Sequence, residues 1–186
     1  MLIFNPPQLS ELEKFVRDAD RIFVDTCSFL HESAEQFFQN VTPILAREHK
    51  QTVLPLAVYE ELRKLAKRID DPAVNLRAHN VCKKIVPQLM KTNLLEIYSD
   101  PDDGHFADNV FLYVFQKIKL RYNVLFVTQD SGLAHDALDI FKDSRAVKGV
   151  KKILVCKLVK SGLVQKFFVD DSNKIPQPDD LPKKFP

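Results

Sequence analysis

The stretch NVLFVTQDSGLAHDAL, residues 123–138, contains the pattern that decides the fold. Its first part, NVLFVT at 123–128, is a short apolar run typical of a buried β-strand, whereas GLAHDAL has the spacing of a helix. Asp130 lies between the two, at the point where the strand should end. Because an Asp at a strand-to-helix turn can also cap the helix, this stretch alone leaves both a capping and a chemical role open.

The same alternation of strand and helix recurs along the chain and predicts an α/β fold. Other strand-like runs are RIFVD at 21–25, TVLPL at 52–56, LLEIY at 94–98 and KILVCKL at 152–158. Helical patterns fill 8–19, 28–48 with a disturbance near Pro43, 57–70, 73–91 and 105–120. This order predicts a mostly parallel sheet with helices on both faces. A Ser-Gly turn after KILVCKL indicates an antiparallel C-terminal hairpin at the sheet edge.

Composition predicts one globular domain without a membrane-spanning helix. With 45% hydrophobic and 28% charged residues, the chain can bury a full core, and we expect a single domain over 1–170. The Pro-rich tail 171–186 is expected to be extended or disordered. The amino terminus does not resemble a signal peptide, and three dispersed cysteines form neither a CxxC pair nor a disulfide framework. These features favour a cytoplasmic protein.

Charge and glycine content narrow the classes of ligand. The formal net charge of +2 does not require a polyanionic partner, but basic residues concentrate in 63–91 and in KDSRAVKGVKK at 142–152. Taken alone, such runs are more often solvated helix faces than binding sites. With four glycines, the chain has neither GxGxxG nor GxxxxGK[ST], so nucleotide-binding loops of those two kinds are excluded.

Two aspartates directly follow predicted strands. Asp25 ends RIFVD, and Asp130 follows the strand within NVLFVT at the corresponding place. Ligand sites of open α/β sheets lie outside the carboxyl ends of the strands, so residues distant in sequence converge there. We therefore predict that these two carboxylates share one rim of the sheet.

Helix geometry supplies two further acidic candidates. In AVYEELRKLAKRI, at 57–69, Glu61 lies about 60° from the apolar residue Val58, whereas Glu60 points to the opposite side. In FADNVFLYVFQKIK, at 106–119, Asp108 lies at the margin of the apolar stripe in the first turn. We therefore predict that Glu61 and Asp108 join the aspartates at the rim.

Four carboxylates gathered at one rim repel one another unless a cation neutralises them. A site built only from oxygen ligands favours hard divalent ions, Mg²⁺ or Mn²⁺, over zinc. The predicted metal ligands and catalytic residues are Asp25, Glu61, Asp108 and Asp130.

Four motifs in this order resemble the acidic motifs of the PIN domain family of metal-dependent ribonucleases. They are VDTCSFL at 24–30, PLAVYEEL at 55–62, ADNVFLYV at 107–114 and VTQDSGLA at 127–134. The resemblance implies a three-layer α/β/α sandwich around a mostly parallel sheet. It also implies an acidic cluster that binds Mg²⁺ or Mn²⁺ and hydrolyses phosphodiester bonds in RNA, with single-stranded RNA as the expected substrate. A homodimer or an inhibitory protein partner is compatible with it.

Other polar residues are weaker candidates for substrate contacts. Thr26 and Ser28 can hydrogen-bond the carboxylates or the substrate, but capping of the next helix explains them equally well. The basic runs, including Lys148, Lys151 and Lys152, are expected to contact the substrate backbone.

Three rival functions are compatible with parts of this pattern. The main one is a non-catalytic PIN-like scaffold that binds RNA or a protein, although intact acids at all four positions argue against it. A structure-specific DNA nuclease would need more helical insertions than this chain provides. A phosphotransfer enzyme with an aspartyl nucleophile is disfavoured because no Asp lies two residues after Asp25.

Overall fold

The computed structural model describes residues 6–99, 107–142 and 151–167, and within them the fold is α/β. One sheet holds six strands in the order β3-β2-β1-β4-β5-β6. Neighbouring strands pair in parallel from β3 through β5, and β5 pairs with β6 antiparallel. The strands are β1 (Arg21–Val24), β2 (Thr52–Pro55), β3 (Leu95–Tyr98), β4 (Val124–Val127), β5 (Ile153–Leu158) and β6 (Val164–Lys166). The mostly parallel sheet and its C-terminal hairpin are therefore confirmed, whereas the predicted tail 171–186 lies outside the described residues.

Helices connect the strands. They are α1 (Pro6–Asp18), α2 (Thr26–Phe29), α3 (Ala34–Arg47), α4 (Leu56–Leu65), α5 (Pro72–Asn80), α6 (Val86–Lys91), α7 (Ala107–Ile118) and α8 (Ser131–Lys142). A π-helical turn, Val81–Ile85, joins α5 to α6. No helix in the described ranges has both the length and the apolar character needed to cross a membrane.

The prediction of one helix over 28–48, disturbed near Pro43, was wrong. Pro43 lies inside the continuous helix α3, and the interruption comes earlier, between Phe29 and Ala34. Polar groups of Ser33 explain the interruption: its backbone N–H donates to Nδ1 of His31, and its hydroxyl donates to the Lys160 carbonyl in the β5–β6 hairpin. A tertiary contact, which local helix periodicity cannot reveal, thus divides the segment.

Aromatic side chains fix α7 against the central strands. Phe23 of β1 and Phe126 of β4 are register partners, so they lie on the same face of the sheet. Phe111 and Phe115 of α7 pack against both, with ring centroids 5.0–6.3 Å apart. All four residues of β4 are buried, and because successive strand side chains point to opposite faces, both faces of this strand are covered.

The β5–β6 hairpin is attached to α3 by a close contact at its turn. Gly162 has a φ of +68°, a conformation that favours glycine, and a Cβ placed there would lie 2.5 Å from the side chain of Gln36. The Gly162 carbonyl also accepts a hydrogen bond from the Asn40 amide at 2.9 Å. The hairpin at the sheet edge is thereby held against α3, the helix that precedes β2.

Candidate active site

Asp25 lies directly after β1, at the carboxyl end of a strand in the middle of the sheet. Its backbone N–H donates to the Val127 carbonyl of the neighbouring strand β4 at 3.1 Å. Its Oδ1 accepts a hydrogen bond from the Ser28 backbone N–H at 2.6 Å, which caps the short helix α2. The residue is only 3% exposed. The predicted strand-end carboxylate is therefore present, and it is buried.

Burial raises the pKa of the Asp25 carboxyl above its usual value, because a charged group loses hydration inside the protein. Hydrogen bonds from Ser28, Thr128 and the Gln129 backbone favour the ionised form and oppose this shift, but burial dominates. Among the described residues, no Lys or Arg forms an ion pair with Asp25. The carboxylate thus has hydrogen-bond donors around it and no described cationic partner.

Thr128 connects Asp25 to Asp130. Thr128 follows β4 just as Asp25 follows β1, and Val24 and Val127 are register partners in the sheet. The Thr128 hydroxyl donates to Oδ2 of Asp25 at 2.5 Å and accepts from the Asp130 backbone N–H at 3.0 Å. One buried hydroxyl therefore fixes both the orientation of the first carboxylate and the backbone of the second aspartate.

Asp130 caps helix α8. Its Oδ1 accepts a hydrogen bond from the Leu133 backbone N–H at 2.9 Å, the geometry of an N-cap. The side chain is exposed, and no second hydrogen bond from a described residue reaches Oδ2. The capping role that the sequence left open is thus present, and among the described residues only one of the two carboxylate oxygens is engaged.

Glu61 is hydrogen-bonded to Thr26, the residue that follows Asp25 in the chain. The Thr26 hydroxyl donates to Oε2 of Glu61 at 2.5 Å, joining α2 to the middle of α4. Glu61 is partly buried, whereas Glu60 is exposed. The helical-phase prediction that Glu61, and not Glu60, faces inward is therefore confirmed.

Ser28 adds a buried hydroxyl to this region. The residue is fully buried, and its side chain helps to lower the pKa of Asp25. Its Oγ nevertheless completes no hydrogen bond of good geometry with any residue in the described part of the chain. A buried polar atom without a partner is rare in folded proteins, and a bound ligand or water is one common explanation.

The carboxylate and hydroxyl oxygens of the described residues suit a hard cation, but on their own these residues do not form a complete metal-binding site. Within 6–99, 107–142 and 151–167, no three His, Cys, Asp or Glu side chains are close enough to hold a metal ion. Asp108 belongs to the first turn of α7, and its side chain lies outside the described part of the structure. Of the four predicted acids, the structure describes the side chains of three. Asp25 caps α2, Glu61 is hydrogen-bonded to Thr26 of α2, and Asp130 follows the neighbouring strand β4.

The described lysines of the basic run at 142–152 lie at the opposite ends of the strands from Asp25. Lys151 and Lys152 are exposed and precede β5, and the Lys152 carbonyl accepts from the N–H of Val124 at the start of β4. Because β4 and β5 run parallel, these lysines lie at the amino ends of the strands, while Asp25 lies beyond the carboxyl ends. The structure does not bring them to the acids, and Lys148 lies outside the described residues.

Sequence reasoning missed the bridging role of Thr128. The signal was available, since VTQD places a hydroxyl residue in register with Asp25 once β1 and β4 are neighbours. That adjacency is a property of strand order, however, and the hydrophobic pattern alone does not specify it.

The comparisons with known proteins returned no match: no family model, no curated protein and no solved structure is significantly similar to this chain.

Proposed function

We propose that the chain is a Mg²⁺- or Mn²⁺-dependent endoribonuclease of the PIN type that acts on single-stranded RNA. The observation that carries the proposal is Asp25, a buried carboxylate without a described cationic partner at the carboxyl end of a central parallel strand. This edge is where ligand sites of open α/β sheets occur. The α/β/α sandwich of the family is part of the same proposal.

In this proposal, Asp25 and Glu61 hold the metal ion, and Asp108 and Asp130 contribute directly or through water. The ion supplies activation of a water nucleophile and compensation of charge on the phosphate. Thr128 orients the Asp25 carboxylate, and the capping N–H of Ser28 favours its ionised form, which partly opposes the effect of burial on the pKa.

Thr26 acts as a positioning residue for Glu61. Its hydroxyl fixes one carboxylate oxygen of Glu61, which leaves the other oxygen to face a ligand. The hydroxyl of Ser28, which has no hydrogen-bond partner within the described part of the chain, is a further oxygen that can contact the substrate or a water molecule. These roles come from side chains that the fold already holds in place, so little reorganisation is needed on binding.

A non-catalytic PIN-like scaffold that binds RNA or a protein is the second candidate. Two observations favour it: Asp130 is engaged in capping α8, and the described acids form no group of three. In such a scaffold, the carboxylates would have local structural roles and divalent ions would have no effect on the RNA.

A cleavage panel separates the two candidates. Purified protein is incubated with single- and double-stranded RNA and DNA in Mg²⁺, Mn²⁺ or excess EDTA, and the products are resolved on denaturing gels. We expect internal cleavage of single-stranded RNA that requires the divalent ion and disappears in the Asp25→Asn variant. Cleavage that persists in EDTA contradicts the proposal, and binding without cleavage in any metal favours the scaffold.

A further inference from the structure

A basic groove lies on the flank of α4 that faces away from Glu61. Its volume is about 580 Å³, and it is lined by side chains from α4, the turn that follows it, α5 and the π-helical turn. The residues that matter here are Tyr59, Arg63, Lys67, His79 and Lys83. We refer to these five residues as the α4 groove.

Among the residues that the structure describes, no acid compensates the positive charge of the α4 groove. Arg63, Lys67 and Lys83 are exposed and contribute three positive charges, and no Asp or Glu in the described part of the chain lines the groove. Within the described residues, none of the three forms an ion pair with a carboxylate. Elsewhere on the surface, Arg21, Arg47 and Arg68 do pair with acids. Like charges placed together without acids favour binding of an anion.

The geometry of the groove suits a phosphate chain with exposed bases. The Arg63 guanidinium lies over the Tyr59 ring, 5.9 Å from its centroid, which restrains a planar cation beside an aromatic face. Both residues lie one turn apart on the same face of α4. Arginine binds phosphate oxygens in a bidentate manner, and aromatic rings and guanidinium planes stack on unpaired bases.

The wall opposite α4 has an unusual backbone. Lys83 belongs to the π-helical turn Val81–Ile85, and such turns interrupt regular helices and occur frequently at functional sites. Burial raises the pKa of the Cys82 thiol, and the positive charges of Arg63 and Lys83 partly oppose this shift. Both basic side chains line the groove, Arg63 from α4 and Lys83 from the π-helical turn.

We propose that the α4 groove is an exosite that holds the phosphodiester backbone of single-stranded RNA at a distance from the cleaved bond. Tyr59 and Arg63 lie about half a helical turn away from Glu61 around α4, so the groove and the acids occupy opposite flanks of one helix. A helix is about 10–12 Å across, so one RNA strand can contact both flanks by passing over α4. The inference rests on the proposed function for the identity of the ligand, but its test is a binding measurement.

Two triple variants with the same change of charge test the exosite. The groove variant is Arg63→Gln, Lys67→Gln and Lys83→Gln. The matched control is Lys64→Gln, Lys84→Gln and Lys91→Gln, which are exposed lysines of the same segment that do not line the α4 groove. Both variants lower the formal net charge of +2 by the same three units, so any difference between them reflects position.

Binding of end-labelled oligouridylate is measured by fluorescence anisotropy in EDTA over a series of salt concentrations. Each phosphate contact with a single strand releases about 0.7 counterion. Loss of three contacts should therefore make the slope of log K against log salt concentration shallower by about two in the groove variant. At low salt, we expect that variant to bind at least about tenfold more weakly, and the control to stay within about twofold of the wild type. Arg63→Lys keeps the charge but loses the guanidinium plane, so we expect the salt slope of the wild type together with a loss of affinity smaller than that of the groove variant.

Several outcomes overturn the exosite. They are absence of RNA binding by the wild type, equal losses in the groove and control variants, and an unaltered salt slope in the groove variant. Single-stranded oligothymidylate should show the same loss, since its phosphates are the same, and failure of DNA to bind at all would also contradict a backbone contact. Circular dichroism of all variants verifies that they are folded.

Failure of the exosite and failure of the proposed function give different results. If the wild type cleaves RNA but the groove variant binds like the control, the exosite is wrong and the nuclease stands. If the wild type binds RNA through the groove but cleaves nothing in Mg²⁺ or Mn²⁺, the exosite stands and the nuclease is wrong.

Discussion

Asp25 and Asp130 follow neighbouring parallel strands, each caps the helix after its strand, and yet their surroundings differ. Asp25 is buried, and Thr128 and Ser28 both donate hydrogen bonds to it, while Asp130 is exposed and accepts from Leu133 alone among the described residues. Burial makes ionisation of the first carboxylate unfavourable, which a bound cation would relieve. An Asp at a strand end thus indicates a position on the rim of the sheet. Its burial indicates how much a bound cation would stabilise the ionised carboxylate there.

The largest expected effect comes from exchanging each of the two aspartates for asparagine. Asp25→Asn should reduce RNA cleavage at least about a hundredfold, beyond the 10–100-fold typical of residues that only support a metal ligand. Asp130→Asn should lose about tenfold, because Asn caps a helix as well as Asp and the substitution removes only the charge. Initial cleavage rates in Mn²⁺ provide the measurement.

Asp136→Asn, on the exposed face of α8, is the matched control for both variants and should cleave like the wild type. If Asp130→Asn loses as much activity as Asp25→Asn, the contrast between the buried and the exposed aspartate has no functional meaning.

The paired glutamates of α4 extend the comparison to a second element. Glu61→Gln should reduce cleavage about 10–100-fold, since Glu61 is held by Thr26 at the site, whereas the exposed Glu60→Gln should stay within about twofold. The measurement is the cleavage rate of each variant, and melting temperatures verify that both variants are folded. Equal losses from the two would show that the Thr26 contact does not place Glu61 at the reacting centre.

Thr128→Val tests the bridge between the two aspartates. Loss of the hydroxyl leaves Oδ2 of Asp25 without its buried donor, and hydrogen bonds to charged groups contribute about 1.5–3 kcal/mol. We expect the free energy of unfolding to fall by about that amount and the Asp25 pKa to rise further. Urea unfolding at several pH values measures both. Thr42→Val, which removes a hydroxyl bonded to the Phe38 carbonyl in α3, should leave the pH dependence unaltered.

The pH dependence of stability isolates the buried carboxylate. The pKa of Asp25 is raised in the folded protein, so the native state binds more protons than the unfolded chain between the usual value of 3.8 and the raised one. In EDTA, the contribution of Asp25 to stability should therefore fall as pH rises through that window, by at most about 1.4 kcal/mol per pH unit.

The difference in unfolding free energy between the wild type and Asp25→Asn, followed against pH, measures this contribution. Asp130→Asn provides the comparison at the exposed aspartate. A difference that grows with pH at Asp25 would show that hydrogen bonding outweighs burial there.

Much of the fold is predictable from the sequence because its signals are local. The strand runs such as VLFV at 124–127 are short, apolar and separated by helical patterns, and they agree with the structure to within one or two residues. The break between α2 and α3 was not predictable, since it depends on the Ser33 contact with a hairpin more than a hundred residues away. Local periodicity contains no information about that partner.

At the candidate site, the placement of single acids on strands and helices is more predictable from sequence than their surroundings. Helical phase separates Glu61 from Glu60 because both belong to one rigid element. Burial of Asp25 and the bridging of Thr128 depend on the order of the strands, and neither residue's own neighbours in sequence specify it. The four-acid cluster, including Asp108, stays a prediction.

Binding of Mn²⁺ tests the central claim, that the buried Asp25 carboxylate holds a divalent cation. Titration of the wild type, Asp25→Asn and Asp136→Asn with Mn²⁺, followed by isothermal calorimetry, needs no RNA. We predict that the wild type and Asp136→Asn bind the ion alike and that Asp25→Asn binds it at least about tenfold more weakly, the lower end of the range for losing a ligand's support. Equal Mn²⁺ affinity in Asp25→Asn and the wild type, or no binding by the wild type, would contradict the account.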